Sequence, residues 1–240
     1  MRALAVPFLA ILLGAVPRPA AAQNPADLVP IYEAEVFRQE VIAMGKPTVG
    51  DGQPGAVEED PAVRQALTYD PSPEVEQRTR GKLLESLRAS TADPAVQAQI
   101  EQTVATDAVW HQFHEVLSGA GYSTTNLADV TTAYYLITWE VVNGPDATMN
   151  AASLQAVRAD VAAAYAANPK LKDLTDADKQ EAASIMAYMA TIAAASANQL
   201  RDAGDLANLE LLQEAVHRTV LDQGLDLSQL RLTDQGFAAR

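Results

Sequence analysis

The residues best suited to metal chemistry in this 240-residue chain are His111, His114 and Glu115. On a helix, the i, i+3 spacing puts the two imidazoles on neighbouring positions of one face, where a metal ion could bridge them. The segment does not follow the His-Glu-x-x-His pattern, and the sequence offers no evident third ligand. We therefore expect no metal site and no cofactor, with His111 and His114 as the weak candidate ligands.

A second candidate is Glu140, which follows Trp139 in a segment (127–142) that is apolar on nearly every side. A carboxylate buried there must find a partner or become protonated. We expect the partner to be Arg158, on the next predicted helix. The full candidate polar cluster consists of Asn126, Asp129, Trp139, Glu140, Arg158, Gln180 and Glu181. It could line a pocket with acids, but a polar network that fixes helix register is the favoured interpretation.

Other kinds of catalytic site find little support in the sequence. It contains no Gly-x-Ser-x-Gly motif and no glycine-rich phosphate loop after a strand, which disfavours nucleophilic hydrolases and nucleotide enzymes. His217 stands alone among apolar residues and is expected on a helix surface. Tyr134 and Tyr135, at helical spacing, are expected in the core.

The elements that position these residues are helices with clear start and stop signals. Cap residues followed by apolar periodicity predict helices from Pro73 to about Ala89, from Pro94, and over 107–118, 126–143, 150–167, 175–203 and 205–223. Only the tail, 225–237, is predicted to be extended or turn-like. The fold class is therefore all-α, a single multi-helix, bundle-like domain of about seven helices.

Two segments are predicted to precede this domain. Residues 1–22 combine Arg2, an apolar run over 3–16 and Ala20-Ala21-Ala22, the pattern of a cleaved signal peptide. Residues 23–72 are predicted to be an arm, with one short helix over 30–44 and a flexible linker rich in Pro, Gly and acid. The helical domain then spans residues 73–240.

Composition limits the partners. Losing Arg2 and Arg18 with the leader leaves 15 basic against 31 acidic residues, a formal net charge of −16. Such a surface repels phosphate backbones and anionic lipids, so nucleic acid is not an expected partner. The chain has no cysteine, which excludes disulfides and lipid attachment after the leader. We expect release into the periplasm or the exterior, without stable membrane anchoring.

A set of short motifs in a fixed order resembles an exported proteobacterial family known only as a domain of unknown function. The motifs are Tyr69-Asp70-Pro71-Ser72-Pro73, Asn126-Leu127-Ala128-Asp129, Thr138-Trp139-Glu140, Ala156-Val157-Arg158, Lys179-Gln180-Glu181-Ala182, and the tail from Gly224 to Phe237. The resemblance covers about residues 69–237. It implies a helical fold and an exported protein, and it implies no reaction.

The sequence therefore favours a non-enzymatic exported protein that binds a protein or a small ligand through grooves between its helices. One alternative is a periplasmic hydrolase that uses Asp129, Glu140 or Glu181 in a cleft. Another is a carrier of a small apolar ligand, held beside Met186, Met189 and Ile192.

Overall fold

The computed structural model describes residues 39–50, 60–90, 94, 97–98, 101, 104, 108–145 and 149–240. The predicted leader lies outside these residues, as do 23–38 and 51–59 of the predicted arm. Within the described ranges, eight α-helices are complete: α1 (Gln39–Met44), α2 (Pro61–Leu67), α3 (Pro73–Ser90), α4 (Ala108–Gly119), α5 (Leu127–Asn143), α6 (Ala151–Ala167), α7 (Asp176–Ala203) and α8 (Leu206–Asp222). The described residues also form two short 3₁₀ helices (Pro169–Asp173 and Leu227–Gln229). A hairpin consists of β1 (Leu230–Thr233) and β2 (Gly236–Ala239).

The predicted helix starts are confirmed where cap side chains were recognised in the sequence. The side chain of Asn126 accepts hydrogen bonds from two backbone N–H groups in the first turn of α5, and Asn150 does the same for α6. Thr175 and Asp178 form a reciprocal capping box at the start of α7. The all-α class and the multi-helix domain are therefore as predicted, and these three helices carry their own local start signals.

Helices α5 and α7 form the centre of the fold. Their N-terminal ends meet at Thr68, which binds Asn126 Nδ2 through its hydroxyl and Lys179 Nζ through its carbonyl. Their C-terminal ends meet where Arg201 donates to the Val141 carbonyl, so the two helices run in the same direction. Every residue of α5 from 127 to 141 is buried, as its all-round apolar sequence predicts. No helix among the described residues is long and apolar enough to cross a membrane.

Part of the predicted linker is instead folded. Helix α2 begins at Pro61, with the Asp60 carboxylate accepting a hydrogen bond from Ala62 N at 2.8 Å. It ends with Leu67, which is fully buried in the same hydrophobic core as α5 and α7. Residue 72 is therefore not the start of the folded body. Asp60-Pro61 is an ordinary helix start. Composition does not reveal it, because the surrounding residues are rich in glycine, proline and acid and are typical of a linker.

The short helix of the predicted arm also packs into the body. Gly45 lies so close to the Tyr165 ring that a Cβ at this position would overlap the ring. Gly50 N then donates to the Phe237 carbonyl at 3.0 Å, which joins this segment to the C-terminal hairpin. Its buried apolar side chains belong to the main core: Val41, Ile42 and Met44. Residues 39–50 are thus an integral part of the folded domain.

Candidate functional site

The predicted polar cluster is divided along helix α5. Asn126 and Asp129 lie at its start, and Trp139 and Glu140 lie near its end. Asp129 and Glu140 are eleven residues apart in sequence, which at 1.5 Å per residue is about 16 Å along the axis. The candidate residues therefore do not surround one common centre.

Arg158 pairs with Asp129 and not with the predicted partner, Glu140. Its Nε donates to Asp129 Oδ1, and the two side chains are 8% and 3% exposed. Asp129 Oδ2 also accepts a hydrogen bond from Ser123 N at 2.8 Å. The prediction was wrong because an arginine that reaches the first turn of α5 cannot reach its last turns. The ion pair joins α5 to α6 inside the fold.

Tyr122 completes this group. The Arg158 guanidinium lies 6.0 Å from the centre of the Tyr122 ring, and the Tyr122 hydroxyl donates to the Leu154 carbonyl at 2.8 Å. Burial raises the pKa of Tyr122 above its ordinary range, and the negative charge of Asp129 raises it further. The ring and the ion pair thus connect the loop before α5 to α6.

At the other end of α5, Trp139 and Glu140 face different surroundings. Trp139 Nε1 donates to the Leu230 carbonyl at 3.1 Å, which anchors the C-terminal tail. Glu140 is fully buried. The nearby basic residue is Arg201. Its pKa is lowered by burial, and the charge of Glu140 opposes part of that shift. Glu140 therefore belongs to the contact between α5 and α7.

Gln180 and Glu181 lie on α7, where they contact α3 and the residue before it. Gln180 accepts a hydrogen bond from Ser72 N at 2.8 Å and donates to the Ser72 carbonyl at 2.9 Å. Glu181 is 1% exposed and forms an ion pair with Lys82 Nζ at 2.5 Å. Both residues thus hold α3 against α7.

The contact between α3 and α7 extends to residues that were not singled out in the sequence. The Ser184 hydroxyl donates to Glu76 Oε2 at 2.6 Å, and the Tyr188 hydroxyl donates to Glu76 Oε1 at 3.3 Å. Arg80 lies 3.6 Å from the same carboxylate. Burial and the Glu76 charge raise the pKa of Tyr188 to about 12. We call this set, with Ser72, Gln180, Lys82 and Glu181, the polar seam.

The sequence did contain a signal for the polar seam. Gln180, Ser184 and Tyr188 recur every four residues in α7, which places them on one stripe of the helix. Glu76 gave no signal, because an acid in the first turn of a helix is common whether or not it is buried.

The three acids proposed for a two-carboxylate hydrolase do not converge on a cleft within the described part of the chain. Asp129, Glu140 and Glu181 are each 3% exposed or less, and they contact different helices. In the polar seam, Ser184 donates directly to Glu76, with no imidazole between them to act as a base. These groups serve as contacts between helices.

The predicted metal ligands lie on the protein surface. His111 and His114 are both exposed, and the ring nitrogens of His114 lie 3.4 Å from the Ser118 hydroxyl and 3.5 Å from the Thr124 hydroxyl. Within the described part of the chain, no group of three or more His, Asp or Glu residues could hold a metal ion.

His217 is a surface residue, as predicted, but it has a specific partner. Its Nε2 lies 2.8 Å from Asp226 Oδ1, which also accepts a hydrogen bond from the Ser228 hydroxyl at 2.6 Å. Hydrogen bonds from Ser228 and His217 lower the pKa of Asp226. The contact ties α8 to the 3₁₀ helix before the hairpin.

Helix α8 exposes apolar side chains on the side that faces away from the core. Leu206 is 69% exposed, Leu211 53% and Leu221 45%. Of the four large hydrophobic residues that are exposed in the described ranges, only Val49 lies elsewhere. The same side carries three acids (Glu210, Glu214 and Asp222). We call these three leucines and three acids the α8 face.

The comparisons with known proteins add a family and no activity. The model of a family of unknown function (DUF6683) matches residues 2–240. The chain belongs to this family. The match is longer than the resemblance over residues 69–237, since it also includes the predicted leader and arm. No curated protein and no solved structure matches the chain.

Proposed function

We propose that this DUF6683 protein is exported, released by cleavage after Ala22, and acts by binding another protein through the α8 face. Export is supported by the leader pattern over residues 1–22. The test is to determine the N-terminus of the protein recovered from the periplasm or medium, which we expect at Gln23. An N-terminus at Met1, on protein retained in the cytoplasm, would contradict export.

The observation that carries the binding proposal is the concentration of exposed leucines on one helix. Exposed apolar residues scattered singly over a surface are ordinary, but these three leucines share the solvent-facing side of one helix, and exposed apolar surface is a feature of interaction sites. Among the described residues, three of the four large exposed hydrophobic side chains lie on α8, and the opposite side of that helix is packed in the core through residues such as Leu212 and Val216. The helix is therefore held rigidly while its leucines face solvent.

The buried polar groups support binding over catalysis. Asp129 and Arg158 neutralise each other, and Glu76 is occupied by Ser184 and Tyr188. A group engaged in such contacts would have to break them in order to act on a substrate. The α8 face needs no such rearrangement.

Site-specific photocrosslinking tests the proposal. A photoreactive residue at position 211, in the protein expressed with its leader in the native host, should give a discrete adduct. A photoreactive residue at Glu85, an exposed position on α3, is the matched control and should give none. The adduct should disappear when Leu206 and Leu221 are also changed to Gln. Adducts that are equal at both positions, or absent at 211, would refute binding through the α8 face.

A further inference from the structure

We infer that the partner presents a cationic amphipathic helix to the α8 face. This inference rests on the proposed function and adds the chemistry of the partner. Leu206, Leu211 and Leu221 provide the apolar contacts. Leu206 and Leu221 lie fifteen positions apart on α8, a distance of about 22 Å along the axis, which is the length of a partner helix of about four turns.

The charges on the α8 face determine the sign of the charge that the partner should carry. Within the described residues, Glu210 and Asp222 form no ion pair, and Asp202, just before α8, is also exposed without one. Glu214 pairs with Arg218 at 2.9 Å, and both side chains are more than half exposed. Cationic side chains opposite Asp202, Glu210 and Asp222 would neutralise these acids at the rim of the contact.

The net charge of the whole chain favours the same partner. With a formal net charge of −14, the chain attracts cationic segments and repels a second copy of itself. A dimer with its two α8 helices in parallel would place Glu210 and Asp222 opposite the same carboxylates, and in either orientation it would bring together two faces of net negative charge. Anionic lipid surfaces are repelled for the same reason. A basic helix is thus the occupant that fits both the leucines and the acids.

The inference can be tested with two model peptides of about 18 residues, long enough to cover the α8 face. Both carry leucine on one helical face, and the opposite face carries lysine in one peptide and glutamate in the other. Binding to the mature protein is followed by fluorescence anisotropy at low and physiological salt. We expect the lysine peptide to bind and the glutamate peptide not to bind.

Variants of the full mature chain separate specific docking from general attraction. Changing Leu206, Leu211 and Leu221 together to Gln should weaken binding at least about tenfold, because the apolar contacts are lost at unchanged charge. E210Q with D222N should weaken it about threefold and reduce its salt dependence. The control, E85Q with D173N, removes two exposed acids from other elements and should change affinity less than about twofold. Thermal unfolding of each variant checks that the fold is retained.

Three results would overturn the inference. The first is lysine-peptide binding that is absent, or unaffected by the leucine changes. The second is a concentration-dependent dimer that the leucine changes abolish. The third is binding to anionic vesicles that competes with the peptide. Photocrosslinked adducts without peptide binding would refute the cationic helix and leave the proposed function intact. If the photoreactive residue at position 211 gave no adduct while Leu206 and Leu221 were unchanged, both would be refuted.

Discussion

Removal of the Asp129 carboxylate should be among the most damaging single changes to this fold. Asp129→Ala leaves the Arg158 charge on a side chain that is only 8% exposed, and it also removes the acceptor for Ser123 N. Breaking a buried ion pair from one side costs about 3–5 kcal/mol, because the remaining charge loses its compensation. For a chain of this size each kcal/mol lowers Tm by about 2–4 °C, so the expected fall is about 6–20 °C.

The assay is urea and thermal unfolding followed by circular dichroism, with a double-mutant cycle through Arg158→Met. The double variant D129A/R158M should lose clearly less free energy of unfolding than the two single variants lose together, because no charge is left unpaired. The control is Glu101→Gln, which breaks the exposed pair with Arg88 at 2.8 Å and should cost less than about 1 kcal/mol.

Two results would refute this reasoning. If D129A lost no more stability than E101Q, the pair between α5 and α6 would be contributing little. If the losses of D129A and R158M simply added, the two groups would not be acting together. A change in m-value would indicate a change in the unfolded or native ensemble and would be analysed separately.

Three further predictions concern other parts of the molecule. Gly45→Ala should cost about 1–3 kcal/mol because its Cβ would overlap an aromatic ring, whereas Gly81→Ala, with open space around it on α3, should gain about 0.5–1 kcal/mol; urea unfolding measures both. Burial raises the pKa of Asp160 from 3.8 to about 6, so the fold favours the neutral acid. The free energy of unfolding should therefore fall as pH rises through that interval, and Asp160→Asn should flatten the fall. Zinc titrated into the mature protein by calorimetry should bind weakly at His111 and His114, and stoichiometric submicromolar binding would contradict this.

Much of the fold follows from local signals in the sequence. Asn126, Asn150 and Thr175 begin helices where their side chains cap the first turn, and Gly204 ends α7 in a left-handed conformation with φ 69°. Each of these features depends only on residues within four positions of the cap, so a single sequence is enough to recognise it.

For the polar contacts, the sequence predicts which residues take part but not which residues they pair with. Asp129 and Arg158 were recognised as polar residues near the core, but which acid the arginine reaches depends on how α6 is placed along α5. Glu76 and Ser184 are separated by 108 positions in sequence, and nothing local to either residue indicates the other. Burial of α1 and α2 likewise depends on surfaces that distant helices create.

The buried polar residues help to place α7, the helix before α8. Half of the sixteen residues over 182–197 in α7 are alanine, so only the other half carry side chains long enough to fix the rotation of the helix. Contacts such as Gln180 with Ser72 and Ser184 with Glu76 help to fix this rotation, since setting register is the best-supported role of buried polar groups. Helix α8 follows α7 directly through the Gly204 turn, so the rotation of α7 also determines where the α8 face points. Residues that first suggest catalysis in the sequence are therefore contacts between helices in the fold, and under the proposed function they would also orient the α8 face, which they do not touch.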